Sequence, residues 1–168
     1  LNGVTWTPIG TPGTEDNYTD EFKGTFNGLG HTISNLTLSG DFNDGELDGH
    51  SIPSAGLFGN IAGGANIAGV RLFNATVNNS ANYNDGDYVS ASPTAALVAE
   101  ARAEYNNDDE FVAAPTIHNN IVTESNVLSL GTGSNVGAIV GRANGATISG
   151  NAVTNTSVMS LNGYSVGG

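Results

Sequence analysis

Ala65-Asn66-Ile67-Ala68-Gly69-Val70-Arg71-Leu72-Phe73-Asn74-Ala75-Thr76-Val77 decides the reading of this chain, because its pattern returns twice. It comes back from Pro115-Thr116-Ile117 to Val127 and from Ala146-Thr147-Ile148 to Val158. Aligned on Ile67, Ile117 and Ile148, the copies place Leu72, Val122 and Val153 five residues on. Ten residues on stand Val77, Val127 and Val158; three residues on stand Val70, Asn120 and Asn151. Each copy is preceded by a small-small-apolar run: Ser54-Ala55-Gly56-Leu57-Phe58-Gly59, Thr94-Ala95-Ala96-Leu97-Val98-Ala99 and Val136-Gly137-Ala138-Ile139-Val140-Gly141. A period of roughly 30–40 residues without helical phase points to a solenoid or a propeller.

The apolar anchors are too short for helices, are β-branched or aliphatic, and are separated by Gly, Asn, Asp and Ser, the text of short strands and turns. Units of this length hold about three short strands, which pair with their counterparts one coil away at about 4.8 Å. The expectation is an all-β chain: a parallel β-helix of about four to five coils with acidic loop insertions. Ile33, Ile67, Ile117 and Ile148 are expected to form one interior ladder, and Leu38, Leu72, Val122 and Val153 another. Asn120 and Asn151 are expected to exchange amide hydrogen bonds along the stack. Gly56, Ala96 and Ala138 leave room for chain segments to approach at a bend. A propeller blade needs antiparallel hairpins, and few two-residue hairpin signals join the apolar runs.

The expected organisation is one domain over residues 1–168. Residues 1–21 form an N-terminal cap strand and loop in which Trp6, the only tryptophan, covers one end. Residues 22–53, 54–93, 94–134 and 135–165 are successive repeats, and 166–168 begin a further one, as part of a larger protein or assembly. Acidic inserts interrupt the repeats at residues 41–53, 79–93 and 100–110. The last begins Glu100-Ala101-Arg102-Ala103-Glu104-Tyr105, a run compatible with a short helical turn.

Composition narrows the function. The net charge is −12, from 16 acidic against 4 basic residues, which argues against nucleic acid and anionic membrane surfaces as partners. Arg71, Arg102 and Arg142 are too few for an anion site, so surface ion pairs are expected of them. No stretch approaches the roughly 20 apolar residues of a membrane-spanning helix, so no membrane insertion is expected. No cysteine is present, which excludes disulfides and thiol chemistry.

His31, His50 and His118 are scattered, and no zinc-helix, nucleophile-elbow or phosphate-loop motif occurs. His31 is expected to brace a turn. Hard oxygens gather around glycine turns at Asp41, Asn43, Asp44, Glu46 and Asp48, and again at Asp85 and Asp87, with Asp108, Asp109 and Glu110 adding more. Calcium takes six to eight such oxygens and is the candidate cofactor, although no complete EF-hand loop is present. The acids sit in inserts at corners rather than on a sheet face, which disfavours catalysis. Asn17, Asn35, Asn74, Asn78 and Asn155 stand in glycosylation sequons.

Gly24-Thr25-Phe26-Asn27-Gly28-Leu29-Gly30-His31-Thr32-Ile33-Ser34-Asn35-Leu36 resembles the opening motif of GLUG-repeat bacterial surface proteins. Trp6-Thr7-Pro8-Ile9-Gly10 is similar to that family's W-x-P-I-G. Gly56-Leu57-Phe58-Gly59 and Gly137-Ala138-Ile139-Val140-Gly141 resemble its repeated GGLVG. Ala146-Thr147-Ile148-Ser149-Gly150-Asn151-Ala152-Val153 resembles a further motif, with Ala152 where cysteine is common. The resemblance implies a right-handed parallel β-helix, exported, found in adhesin-like proteins and beside IgA-type metallopeptidases. It carries no catalytic residues. The functional expectation is a non-catalytic, extracellular structural or adhesive module. Its partners are a protein or glycan at a cell surface, or copies of itself end to end. The alternative is a glycan-binding or glycan-cleaving β-helix that uses surface Asp/Glu with Tyr83, Tyr88 or Tyr105 as stacking platforms.

Overall fold

The computed structural model describes residues 1, 4, 6–10, 21–40, 42, 54–81 and 92–167. Among them every regular element is a strand and none is a helix, so none is long and apolar enough to cross a membrane. The first pass of the chain contributes β1 (Thr25–Asn27), β2 (Thr32–Ser34) and β3 (Thr37–Gly40). The second gives β4 (Phe58–Ile61), β5 (Asn66–Ala68), β6 (Arg71–Phe73) and β7 (Thr76–Asn79). The third gives β8 (Thr94–Ala95), β9 (Val98–Arg102), β10 (Glu104–Tyr105), β11 (Phe111–Ala113), β12 (Thr116–His118), β13 (Ile121–Thr123) and β14 (Asn126–Thr132). Then come β15 (Asn135–Gly137), β16 (Val140–Asn144), β17 (Thr147–Ser149), β18 (Ala152–Thr154), β19 (Ser157–Asn162) and β20 (Ser165–Gly167).

Each strand pairs in parallel with the strand one pass away, which builds the stacked parallel sheets that a solenoid requires. The sheets run β1-β5-β12-β17, β2-β6-β13-β18, β3-β7-β14-β19, β8-β15-β20 and β4-β9-β16. Among the described residues the antiparallel exception is the small hairpin β10-β11. A propeller, which needs antiparallel blades, does not fit this topology.

Register follows the side chains. In Arg71-Leu72-Phe73 and Ile121-Val122-Thr123 only the middle residue is buried, as strand alternation demands. Those middle residues form the expected ladders: Ile67 pairs with Ile117 and Ile117 with Ile148. Leu72, Val122 and Val153 make a second ladder, and Val77, Val127 and Val158 a third.

The first pass corrects the expectation. Ile33 lies against Leu72 rather than Ile67, and Leu38 lies against Val77 rather than Leu72. Phe26 takes the place beside Ile67. The cause is a longer corner, with Gly28-Leu29-Gly30 carrying two residues more than the later copies. Leu29 and Gly30 both have positive φ there (51° and 76°).

The corners explain why Asn recurs. At one, Asn35, Asn74, Glu124 and Asn155 all adopt left-handed conformation, with φ between 48° and 56°. Asn tolerates this region better than other non-glycine residues, so Glu124 is the strained member of the column. At the other corner, the buried Asn120 side chain bridges passes. Its Oδ1 accepts from Val70 N at 2.9 Å and its Nδ2 donates to Ile67 O at 3.1 Å. Asn151 repeats the motif one pass on, accepting from Asn120 N and donating to Ile117 O, both at 2.9 Å. The two amides also bond each other, Asn120 Nδ2 to Asn151 Oδ1 at 3.0 Å, as expected from the sequence. Val70 need not play this part, because the longer first corner reaches the second pass with its own backbone: Gly28 N and Gly30 N donate to Ala68 O and Gly69 O. Hydroxyls do the same work beside the Asn35 column: Ser125 Oγ accepts from Ala75 N, and Thr156 Oγ1 from Ser125 N.

Close approach of β16 to the β8–β9 segment needs small residues. A Cβ on Gly141 would lie 2.8 Å from Ala99 O, Thr94 N and Thr94 O, all backbone. The ends of the spine differ. Trp6, Phe22, Phe26 and Phe42 pack against the core at the first pass, with Trp6 Nε1 donating to Leu57 O at 3.2 Å. At the last pass Ile148 is 44% exposed, whereas Ile67 and Ile117 are fully buried.

Asn120→Leu keeps the branched shape but removes the amide, which leaves Val70 N and Ile67 O without that partner and Asn151 Oδ1 with the backbone N of residue 120 alone. It is expected to lower unfolding free energy by about 3 kcal/mol. Asn151→Leu, on the more open last pass, is expected to cost less. Urea denaturation of the two variants checks the order.

Candidate functional site

The sheet β4-β9-β16 gathers charges that lie far apart in sequence. Its register sets Asn60 beside Glu100 and Glu100 beside Arg142. Phe22 bridges Ile61 at the edge of the same sheet, which brings Glu21 and Lys23 to this surface. Lys23, Arg102 and Arg142, three of the chain's four basic residues, therefore meet Glu21, Glu100 and Glu104 on one side of the stack.

The pairs differ in depth. Arg102 Nε lies 2.5 Å from Glu21 Oε1, and the Glu21 side chain is only 3% exposed. Lys23 Nζ lies 2.9 Å from Glu104 Oε1 in a half-exposed pair. Arg142 Nη1 is 3.5 Å from Glu100 Oε1, a looser contact. The expected surface ion pairs are thus corrected for Arg102, whose partner is a buried carboxylate. The expectation that the acids lie in corner inserts is corrected for Glu100, which belongs to a sheet strand and is buried.

Glu100 is held above the ordinary carboxylate range. Burial is the main cause; Arg142 and Arg102 oppose it, and Glu21 adds to it. Beside it, Asn60 is buried and its Oδ1 has no partner among the described residues.

The run from Glu100 to Tyr105 is strand rather than helical turn. Val98–Arg102 is fixed by parallel partners on both sides, and Glu104-Tyr105 opens the β10-β11 hairpin. Asn106 organises the hairpin tip, its Oδ1 accepting from Asp108 N and Glu110 N at 3.0 and 2.9 Å. Tyr105 and Phe111 meet edge to face with ring centroids 6.1 Å apart, and both are more than half exposed. Between hairpin and sheet lies a cavity of about 430 Å³ lined by Glu21, Lys23, Arg102, Glu104, Tyr105 and Asp109, among others. Its cations engage carboxylate oxygens, so the wall offers alternating donors and acceptors rather than a lone acid facing a lone base.

A larger concavity, about 720 Å³, lies at the last pass and includes Ile139, Val140, Ile148 and Val153. It lies at the open end of the apolar spine, and among the described residues no charged side chain lines it.

The calcium candidates Asp41, Asn43, Asp44, Glu46, Asp48, Asp85 and Asp87 lie outside the described residues, as do His50, Tyr83 and Tyr88. Among the described residues no group of three or more His, Asp or Glu is placed to hold a metal ion. The backbone N of His31 donates to Gly28 O at 2.8 Å in the Gly28-Leu29-Gly30 turn, a bond that does not involve the imidazole. His118 Nε2 lies 3.1 Å from Asn66 Oδ1 and its Nδ1 3.1 Å from Asn119 Nδ2, a satisfied polar side chain on the stack. Sequence reasoning missed the charged groove. Glu21 and Arg102 are distant in the chain, and only strand register could reveal their meeting.

Because Glu100 is harder to ionise folded than unfolded, the native state holds its proton over a pH window where the unfolded state has lost it. This carboxyl's contribution to stability therefore falls as pH rises from the ordinary Glu value, about 4.3, through the raised folded value. Below that window both states are protonated and the contribution is flat. Glu100→Gln is expected to raise the melting temperature near neutral pH, with the gain shrinking toward about pH 4. Thermal melts of both proteins across that range check it.

Comparison with protein-family models, with curated proteins and with solved structures gave no match to this chain in any of the three, so the resemblance to GLUG-repeat proteins stands on its motif residues.

Proposed function

We propose that the chain is a right-handed parallel β-helix of four to five coils that serves as a non-catalytic structural or adhesive module of an exported surface protein. The observation that carries this reading is the column of like residues in each sheet. Ile67, Ile117 and Ile148 lie in register, as do their neighbours on the next two faces. Such a stack is stiff along its axis and contacts only its neighbouring coils, which suits a spacer that holds inserts and grooves away from a surface. The motif resemblance supports the same reading and adds the extracellular location.

Assembly is the second part of the proposal. The strands β17 to β20 stand at an edge, with Ile148 and Val166 exposed. Open strand edges recruit further strands. A following coil or a second copy suits that edge. Calcium in the acidic inserts is carried forward as a candidate cofactor.

The alternative, glycan binding with or without cleavage, is favoured by one feature: the aromatic wall of the charged groove. Cleavage would call for a carboxyl pair acting as acid and base or nucleophile.

Labelled protein applied to intact bacterial and epithelial cells tests the reading, with a parallel assay for reducing ends released from polysaccharides. Saturable cell binding without release of reducing ends is expected. Turnover that disappears in Glu104→Gln would replace the module with an enzyme, and absence of saturable binding to any surface would remove the adhesive role. Lengthwise particles in negative-stain images are expected for assembly, and uniform single particles contradict it.

A further inference from the structure

We propose that the groove between the β10-β11 hairpin and the β4-β9-β16 sheet binds a neutral glycan, with one sugar ring stacked on Tyr105. The inference deepens the adhesive reading above by naming a ligand class and a site. Three observations carry it.

The first is shape. The groove encloses about 430 Å³, within the roughly 300–1,000 Å³ of small-ligand sites. One wall is the hairpin and the floor is the edge of the sheet.

The second is the aromatic. Tyr105 is 52% exposed, lines the groove and is braced edge to face by Phe111. An aromatic face is electronegative. The C–H-rich face of a pyranose ring, whose hydrogens are slightly positive, is therefore its natural partner. A two-dihedral side chain braced by a second ring also loses little freedom on binding.

The third is charge. Among the described residues the lining holds three carboxylates (Glu21, Glu104 and Asp109) against two cations (Lys23 and Arg102), a surplus of one negative charge. Lys23 and Arg102 are each engaged by a carboxylate, at 2.9 and 2.5 Å. An anionic ligand would have to compete with carboxylates already in place. A neutral polyol does not. Carboxylates present acceptors while ammonium and guanidinium present donors. Vicinal hydroxyls, each both donor and acceptor, match that alternation. Because the ion pairs hold these groups before the ligand arrives, binding need not order them.

The test uses the full chain with cellohexaose, maltohexaose, xylohexaose and mannohexaose at millimolar concentration, read by calorimetry, and polygalacturonate as the anionic comparison. Binding of at least one neutral hexaose is expected. Tyr105→Ala should weaken it about tenfold or more, and Tyr105→Phe should retain it within about threefold. The melting temperatures of both variants should stay at the parent value, since the side chain is half exposed. The proposal is overturned by no binding of any neutral hexaose, by preference for polygalacturonate, or by binding that Tyr105→Ala leaves unchanged. Running the cell-binding assay beside the calorimetry separates the two readings. Cell binding by a parent protein that binds no neutral hexaose ends the groove proposal and leaves adhesion standing, whereas parent protein that binds hexaose but no cell ends adhesion and leaves the groove.

Discussion

Parallel pairing of each strand with the strand one pass away is the constraint on which the rest of this structure depends. It forces equivalent positions into columns, and each column then has to be chemically self-compatible. Aliphatic columns make the dry spine. Polar groups inside the stack call for a partner in a neighbouring pass, because a buried unpaired amide costs about 1–3 kcal/mol, a cost that Asn60 Oδ1 still carries. Asn120 and Asn151 meet that demand by bonding both the backbone of the preceding pass and each other. The left-handed column at Asn35, Asn74 and Asn155 is the conformational counterpart of the same rule.

Stacking also decides where variation is tolerated. The chain leaves the column at fixed points and returns to it without disturbing register. The 82–91 segment is bracketed by a buried polar seal: Asn79 Nδ2 donates to Thr94 Oγ1 at 3.0 Å and Ser92 Oγ to Ala81 O at 3.4 Å. The β10-β11 hairpin departs between the β9 and β12 faces in the same fashion, and its departure creates the charged groove. A rigid stack therefore supplies the floor and an insertion supplies the wall, a division of labour in which binding residues sit on loops held by a scaffold.

Much of this was legible in the residues, and the failures have physical causes. The later ladders could be read directly because Ile67, Ile117 and Ile148 recur with identical spacing to the next two apolar positions. That regularity also produced the error at the first pass. Successive faces repeat at the same interval of five, so a slip by one face still matches Ile33 and Leu38 to apolar partners. The longer Gly28-Leu29-Gly30 corner removed the one spacing that would have exposed the slip. The helical expectation at Glu100–Tyr105 failed because local propensity gave way to two parallel neighbours. The Glu21–Arg102 pair carries no local signal at all; it exists only once register is known.

In-register stacking is tested most directly by engineered disulfides, since the chain has no cysteine to interfere. Thr76 and Asn126 are exposed partners on neighbouring strands, at a separation of about 4.8 Å that a disulfide spans. Thr76 with Ile121 is the pair that a slip of one face would bring together. The account predicts that the double variant Thr76→Cys/Asn126→Cys oxidises fully in the folded protein and that Thr76→Cys/Ile121→Cys does not. Efficient closure of the second pair with failure of the first would contradict it.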